Sequence, residues 1–416
     1  MIFQRHGART IALTVIPPLA TAALTAASLT TTTLTTPASA ASAEPGEVIT
    51  ASGRAVAVSG RAVGTAGVRE CWCWRFVRPE GLPGESVLSG ITAPSHKNGW
   101  AVGHLGSEPL ALRWTGVRWR RTPLPLPDGT RLGGVSAVSA HDAWIVGTGA
   151  DGNARTVRWD GRSWRPGALP GSGGKPITAN SVAARTRSDV WAVGSSNGFA
   201  GSMAVAWHYA GRSWSVTPVR SAPGSTLRAV AADARDDAWA VGVTGNRQLL
   251  LHWNGRSWSP TPPPQSAPNG TPVSVAAIAR DSVWAVGATP SGAPLIEHWD
   301  GHGWSLFPAP LPGGHGSGRE DRQAPTGATA VVTDGARGVW ISGMAAGSRP
   351  YLAHFNGMTW DVSRPPLPRT SAGDFASVNA LTHVPHTREV RTAGAYRRRD
   401  SLLTSALTWT NAPRPR

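Results

Sequence analysis

Cysteine is nearly absent from this chain. Cys71 and Cys73 are the only two in 416 residues, and they flank Trp72. A Cys-X-Cys pair alone does not make a redox or metal site. In a strand the two side chains share a face, and a bridge between them is strained, because extended Cα atoms at i and i+2 sit near the upper limit for a disulfide. A strained disulfide, two thiols and an intermolecular bridge all stay open. Lysine is equally scarce: Lys97 and Lys175 are the whole supply, so almost all positive charge is arginine. No Gly-rich phosphate loop, zinc spacing, calcium-loop motif or Gly-X-Ser-X-Gly elbow occurs. Long apolar runs are missing beyond the amino terminus, so no membrane span is expected in the mature chain.

That amino terminus reads as a secretory signal over residues 1–43. Arg5 and Arg9 give a basic start, Ile11 to Leu29 is mostly apolar, and Ala38-Ser39-Ala40 or Ala41-Ser42-Ala43 supplies small residues for cleavage. An uncleaved anchor is the rival, opposed by Pro17, Pro18 and many threonines. No cysteine follows the cleavage site for a lipid anchor. Residues 44–67 are rich in Gly, Ala, Ser and Val and read as a flexible linker or spacer. A secreted, extracellular protein follows, with association with the cell wall open. Formal net charge is +16, or +14 once Arg5 and Arg9 leave. Such an excess favours anionic partners in a salt-dependent way, without implying specific nucleic-acid binding.

What the chain does have is a repeat. Its clearest copy is Asp281-Ser282-Val283-Trp284-Ala285-Val286-Gly287, followed by an element such as His252-Trp253-Asn254-Gly255-Arg256-Ser257-Trp258. The first Trp, or its substitute, falls at Trp100, Trp144, Trp191, Trp239, Trp284, Trp340 and Arg391, with spacings of 44, 47, 48, 45, 56 and 51 residues. A period of about 40–50 residues with Gly and Trp in each unit marks a propeller or similar array. The Gly recurs at Gly103, Gly147, Gly194, Gly242, Gly287, Gly343 and Gly394. The first aromatic of the later element reads Trp114, Trp159, Tyr209, Trp253, Trp299, Phe355 and Trp409. Its second Trp is Trp119, Trp164, Trp214, Trp258, Trp304 and Trp360. Of twenty tryptophans only Trp72 and Trp207 stand outside the repeat, so tryptophan here is core before it is a ligand platform.

Each unit reads as four strands. A small apolar run such as Val135 to Val138 comes first, then a polar turn, often with Asp, then the Val-Trp-Ala-Val-Gly strand. Alternation puts Trp and the second Val on one face and the small residues on the other. A variable Gly-rich loop leads to a third strand ending in the aromatic. Asn-Gly or Asp-Gly predicts a two-residue hairpin with positive φ at both central positions. The last strand dies in prolines such as Pro260 and Pro262 to Pro264, as suits an outer edge. The final unit, about Val378 to Trp409, lacks its last strand, and Cys73-Trp74-Arg75-Phe76-Val77-Arg78-Pro79 has the matching character. The prediction is an all-β, seven-bladed β-propeller over residues 68–416, four antiparallel strands per blade, closed by an amino-terminal strand that completes the last blade.

This order of strands resembles the kelch and galactose-oxidase-like propellers over roughly residues 70–416, with one Gly where kelch units carry a pair. The Gly-Arg-Ser-Trp segments at Gly161, Gly211 and Gly255, with Gly357-Met358-Thr359-Trp360, also resemble the second half of the Asp-box of sialidase-like propellers, although an aromatic replaces the opening Asp. The galactose oxidase resemblance implies a copper site of Tyr and His with a Cys–Tyr crosslink. Only Tyr209, Tyr351 and Tyr396 exist, and neither Cys lies in a blade interior, so no cofactor is expected. The arginine triad, tyrosine and acid of sialidases find no local pattern.

His208, His252, His298 and His354, with Arg113 and Arg158 in register, recur once per unit. At one per blade they are too far apart to share an ion, and they read as strand residues on the blade surface. Asp142, Asp189 and Asp237 read as turn formers. The remaining candidates are loops between second and third strands or between blades, which share one face of a propeller. They place His104, Asp151, Asn153, Asn197, Asn246, Arg247, Arg349 and Arg397 to Arg399 on that face. The long insertion from Pro312 to Gly327 adds His315, Arg319, Glu320, Asp321 and Arg322. The expectation is a monomeric, secreted, non-catalytic binding propeller or scaffold for a cell-surface polymer, glycan or protein. The alternative is a carbohydrate-active hydrolase or lyase using Asp151, Asp321 or Glu320.

Overall fold

The computed structural model describes residues 74–171, 175–198, 201–310, 326–345, 349–368 and 373–411. The signal and linker segments, Cys71, Cys73 and the insertion residues Glu320 and Asp321 lie outside them. Among the described residues there is no helix, and so none long and apolar enough to cross a membrane.

Seven four-stranded antiparallel sheets form the blades of a propeller. Blades one to six span residues 86–121, 131–167, 177–217, 225–260, 271–306 and 326–363, each a simple meander. Blade seven takes three strands from the carboxyl end, Phe375–His383, Val390–Arg397 and Thr404–Thr410, and its outer strand, Arg75–Val77, from the amino end. Phe76 pairs with Trp409 in that closing register. Inner strands touch those of the next blade round the ring, including blade seven against blade one. Closure leaves only short outer edges exposed.

The alternation read from the sequence decides which blade each side chain meets. Trp191 and Val193 of blade three pack with Ala238 and Ala240 of blade four, and Trp239 and Val241 pack with Val283 and Ala285 of blade five. One face of the second strand is thus a tryptophan face in blades one to six, and the opposite face a small-residue face, which lets twisted sheets mesh. The tryptophans of strand two in blades one to five then meet two aromatics of the next blade, and Trp340 of blade six meets Trp74. Trp100 contacts Trp159 and Trp164, with ring centroids 4.8 and 4.7 Å apart, and Trp191 contacts Trp253 and Trp258 at 4.9 and 5.0 Å.

Near the axis the repeat glycine has a steric cause. Every inner strand shifts register beside it, for example between Leu227 and Ala229. The bulge brings the inner-strand carbonyl so close that a Cβ on Gly242 would sit 2.0 Å from the Thr226 oxygen, and one on Gly194 1.9 Å from the Thr178 oxygen. Inner-strand side chains also bond across blades. Ala93 N–H donates to Thr382, Ala137 N–H to Thr92, Ala184 N–H to Ser136 and Val230 N–H to Ser181. The polar residues among the small ones are therefore connectors between blades.

Three sequence expectations need correction. The third-to-fourth hairpin is not a two-residue turn. Four residues, Asn254 to Ser257, separate the strands, and only Gly255 has positive φ. Asn254 Oδ1 accepts from the backbone of Arg256 and Ser257, so the side chain closes the turn, and Asp160, Asp300 and Asn356 do the same. Asp142, Asp189 and Asp237 are not turn formers but buried residues opening the second strand. Trp409 does not occupy the repeat position of Trp299. It pairs with Thr392, as Glu297 pairs with Ala285 beside Trp284, so Asn411 falls at the aromatic position. Trp409 matches Trp207 instead: each is fully buried, and each donates its indole N–H to a proline carbonyl, Pro366 and Pro170.

Candidate functional site

The recurring histidines are half-buried parts of a three-residue unit. His252 Nε2 lies 2.8 Å from Asp237 Oδ1, its ring stacks on Trp239 at 4.5 Å, and the Trp239 indole donates to the same Asp237 oxygen at 3.1 Å. His208 repeats the carboxylate contact and the stacking with Asp189 and Trp191, and His354 with Asp334 and Trp340, but the Trp191 indole N–H has no partner among the described residues. Burial raises the Asp334 carboxyl, but the His354 bond and two backbone N–H groups outweigh it and hold it below its ordinary value. In blade two Arg158 takes the histidine's place, 2.6 Å from Asp142 and 4.8 Å over Trp144. These units stand singly in blades two, three, four and six, and tie the third strand to the start of the second or to the turn before it. Among the described residues no group of three His, Cys, Asp or Glu converges as a metal site would.

Each blade has its second-to-third loop at one end, and the loop-face residues are found there. His104, Asn197, Asn246, Arg247, Arg349 and Arg397 stand on blades one, three, four, four, six and seven. Asp151 and Asn153 are the pair that bond to each other, at 3.0 Å, with Arg155 2.5 Å from Asp151. Asn153 first, then Arg155, holds the Asp151 carboxyl down at about 2. Arg398 pairs with Asp400, and Leu402 and Leu403 project from the same loop. Asp321 lies outside the described residues.

A cavity of about 220 Å3 lies at the opposite end of the blades, in the seam where blade seven meets blade one. Sequence reasoning did not place a site there. Its signal was visible, however: Arg391 stands where the other six blades carry tryptophan. Trp114, Trp119, Trp409 and Val77 wall the cavity, Gly116 and Val117 lie at its rim, and Arg391, Glu389 and His96 supply polar groups. Val117 is 83% exposed, as expected for the tip of the blade-one hairpin.

The polar groups hold one another. Arg391 Nε donates to Glu389 Oε1 at 2.6 Å, and Nη2 donates to the His96 carbonyl at 2.6 Å. His96 Nδ1 is 2.5 Å from Glu389 Oε2, and Thr410 donates to Glu389 at 3.2 Å. The guanidinium lies 5.0 Å from the Trp114 ring centroid. Its Nη1 is buried and has no hydrogen-bond partner among the described residues. Burial raises the Glu389 carboxyl, but the Arg391 and His96 bonds outweigh it and hold it below its ordinary value. Glu389 and Thr410 occupy the positions of Asp237 and His252, so the blade unit survives here with an arginine in place of its tryptophan. A second, more open groove of about 510 Å3 beside the seam of blades two and three is lined by Arg158, Arg165, Tyr209 and Arg212.

No protein-family profile matches this chain, and no curated protein does. Solved structures do. YCF48 from Cyanidioschyzon merolae is 16% identical, with TM-score 0.52 over 81% of this chain and 98% of its own. A YCF48 structure with bound D1 peptide is 15% identical, with TM-score 0.53 over 81% and 96%. A catalytically inactive virginiamycin B lyase from Staphylococcus aureus with quinupristin is 10% identical, with TM-score 0.58 over 82% and 100%. At these identities the likeness is one of fold, and what the chain has in common with these proteins is the β-propeller.

Proposed function

We propose that this chain is an exported, non-catalytic binding propeller that recognises an extracellular polymer, glycan or protein. The observation that carries the reading is the chemistry of the seam cavity. Glu389 is the one carboxylate among its lining residues, and it is committed to Arg391, His96 and Thr410. A concave site with aromatic walls and a few fixed polar groups suits recognition. Acid–base hydrolysis of a glycoside uses two carboxyl groups facing each other across a substrate, and the lining residues offer one. The bound peptide of the YCF48 neighbour supports a protein ligand. The lyase neighbour is the reason to score products as well as retention.

Export rests on the basic, apolar and small-residue segments of residues 1–43. The arginine excess supports an anionic wall polymer as one partner class, with the loop-face arginines as its contacts. The strand order further supports kinship with kelch-like propellers, and the chain is taken to act as a monomer. The deciding experiment incubates the mature chain with fractionated wall polymers, glycans and exported proteins across a salt series. Retention that survives high salt, without released products, is the expected result. Released oligosaccharides, or no retention by any fraction, overturn the reading.

A further inference from the structure

Six of the seven seams are filled by the protein's own aromatic side chains. Trp144 of blade two meets Tyr209 and Trp214 of blade three at 4.7 and 5.3 Å, and Trp239 of blade four meets Trp299 and Trp304 at 5.1 and 5.5 Å. Trp284 meets Phe355 and Trp360, and Trp340 meets Trp74. Those wedges show what the space between two blades holds: one indole from the upstream blade, set edgewise between aromatics of the downstream one. At the seventh seam the downstream pair is intact, Trp114 and Trp119 with centroids 5.3 Å apart. The upstream indole is missing. Arg391 in its place turns back to Glu389 and the His96 carbonyl, and a cavity remains against the same two rings.

We propose that this seam takes an aromatic side chain of a protein or peptide partner, seated against Trp114 and Trp119 where the other seams hold their own tryptophan. The inference rests on the binding-propeller reading and narrows it to a ligand class. Three features carry it. The walls are predominantly aromatic and aliphatic, and ring pairs in edge-to-face contact contribute beyond the area they bury. The polar floor is fixed by mutual bonds, so the site is formed before a ligand arrives, which lowers the ordering cost of binding. Arg391 also retains a buried donor, Nη1, without a partner among the described residues, and a peptide carbonyl is an acceptor for such a group. The hairpin tip at Gly116 and Val117 leaves the rim accessible to a side chain presented on an extended segment.

The probes are N-acetyltryptophanamide, N-acetylleucinamide and methyl glucoside, followed by saturation-transfer NMR and equilibrium dialysis on the full mature chain. Saturable binding of the tryptophan probe, at least tenfold tighter than either other probe, is expected. Arg391→Trp restores the repeat residue and fills the wedge from within; it should weaken binding at least tenfold. Trp114→Leu, on a half-exposed wall, should do the same and guards against misfolding of the first variant. Equal binding by the leucine or glucoside probe, or unchanged binding in both variants, overturns the proposal. If a wall fraction or exported protein is retained while the tryptophan probe does not bind, the aromatic site falls and the binding propeller stands. If the probe binds and both variants lose it while nothing extracellular is retained, the site stands and the broader reading falls.

Discussion

Arg391 and Glu389 form a buried ion pair at 2.6 Å, each side chain 4% exposed, at the one seam of the ring without a tryptophan wedge. The pair lies two residues apart, Glu389 just before the second strand of blade seven and Arg391 on it, and each partner reaches a different blade-one group: Glu389 the His96 imidazole, and Arg391 the His96 carbonyl. The seam at which the two ends of the propeller meet is thus held by charge where the others are held by rings.

Removing one partner leaves the other as an uncompensated buried charge. Glu389→Gln should cost about 3–5 kcal/mol of stability at neutral pH, read by urea unfolding. The pH sign follows from the depressed carboxyl. Its stabilisation is present above the ordinary glutamate value of 4.5 and is lost as pH falls through the lower folded value. Wild type should therefore lose its advantage over the variant in acid. An advantage that grows below pH 4 contradicts the assignment.

The blade unit of aspartate, histidine and tryptophan gives a second test. Asp237 accepts from both His252 and Trp239 and is fully buried. Asp237→Ala strands both donors and should cost about 2–4 kcal/mol. In blade five His298 meets Ser282 Oγ at 3.2 Å in place of a carboxylate, and burial lowers its pKa, which favours the neutral form. Ser282→Ala should cost less than about 1 kcal/mol. Thermal unfolding of the two variants checks the contrast, and equal losses refute the role given to Asp237.

The repeat glycines give a third. Gly242→Ala places a Cβ 2.0 Å from a backbone oxygen that cannot move without breaking the bulge. The loss should reach about 3 kcal/mol or more. Gly303, with nothing within 4 Å of its Cβ position and no positive φ, is the control; Gly303→Ala should change stability by less than about 0.5 kcal/mol. The measurement is the urea midpoint of each variant.

The ring, the blade count and the closing strand were legible because they depend on period and alternation, which a sequence carries directly. Trp284 and Val286 facing one neighbour and Val283 and Ala285 the other follow from a side-chain period of two. The bond between Asp237 and His252 was not legible, since the two stand fifteen residues apart and meet only through the register of strands two and three. Trp409 was misplaced for a similar reason. The longer loop of blade seven shifts its third strand by two residues, which keeps the same face and hides the slip from any alternation count. The seam cavity was visible only as a substitution, Arg391 for Trp, and its shape depends on which side chains fold over it.

Glu297 gives the last test. It is fully buried on the third strand of blade five, at the position filled by Leu112, Val157 and Leu251 in other blades. Its Oε1 accepts from the Gln248 amide at 2.6 Å, and its Oε2 has no partner among the described residues. Burial pushes the carboxyl up to about 7 from an ordinary 4.5. A raised folded pKa means that the native state holds a proton that the unfolded chain has released. Stability is then highest below about pH 4.5 for this group and falls as pH rises through about 7, by up to about 3 kcal/mol. Glu297→Gln should remove that slope, and Glu297→Leu should raise stability at pH 8 relative to wild type by restoring the apolar residue of the repeat. Urea unfolding of the three proteins between pH 5 and pH 8 reads both effects as differences between variant and wild type, in which the opposite slope from His298, whose pKa is lowered by burial, cancels. A wild-type stability that is flat or rising with pH, with Glu297→Gln parallel to it, would mean that Glu297 stays ionised in the folded ring.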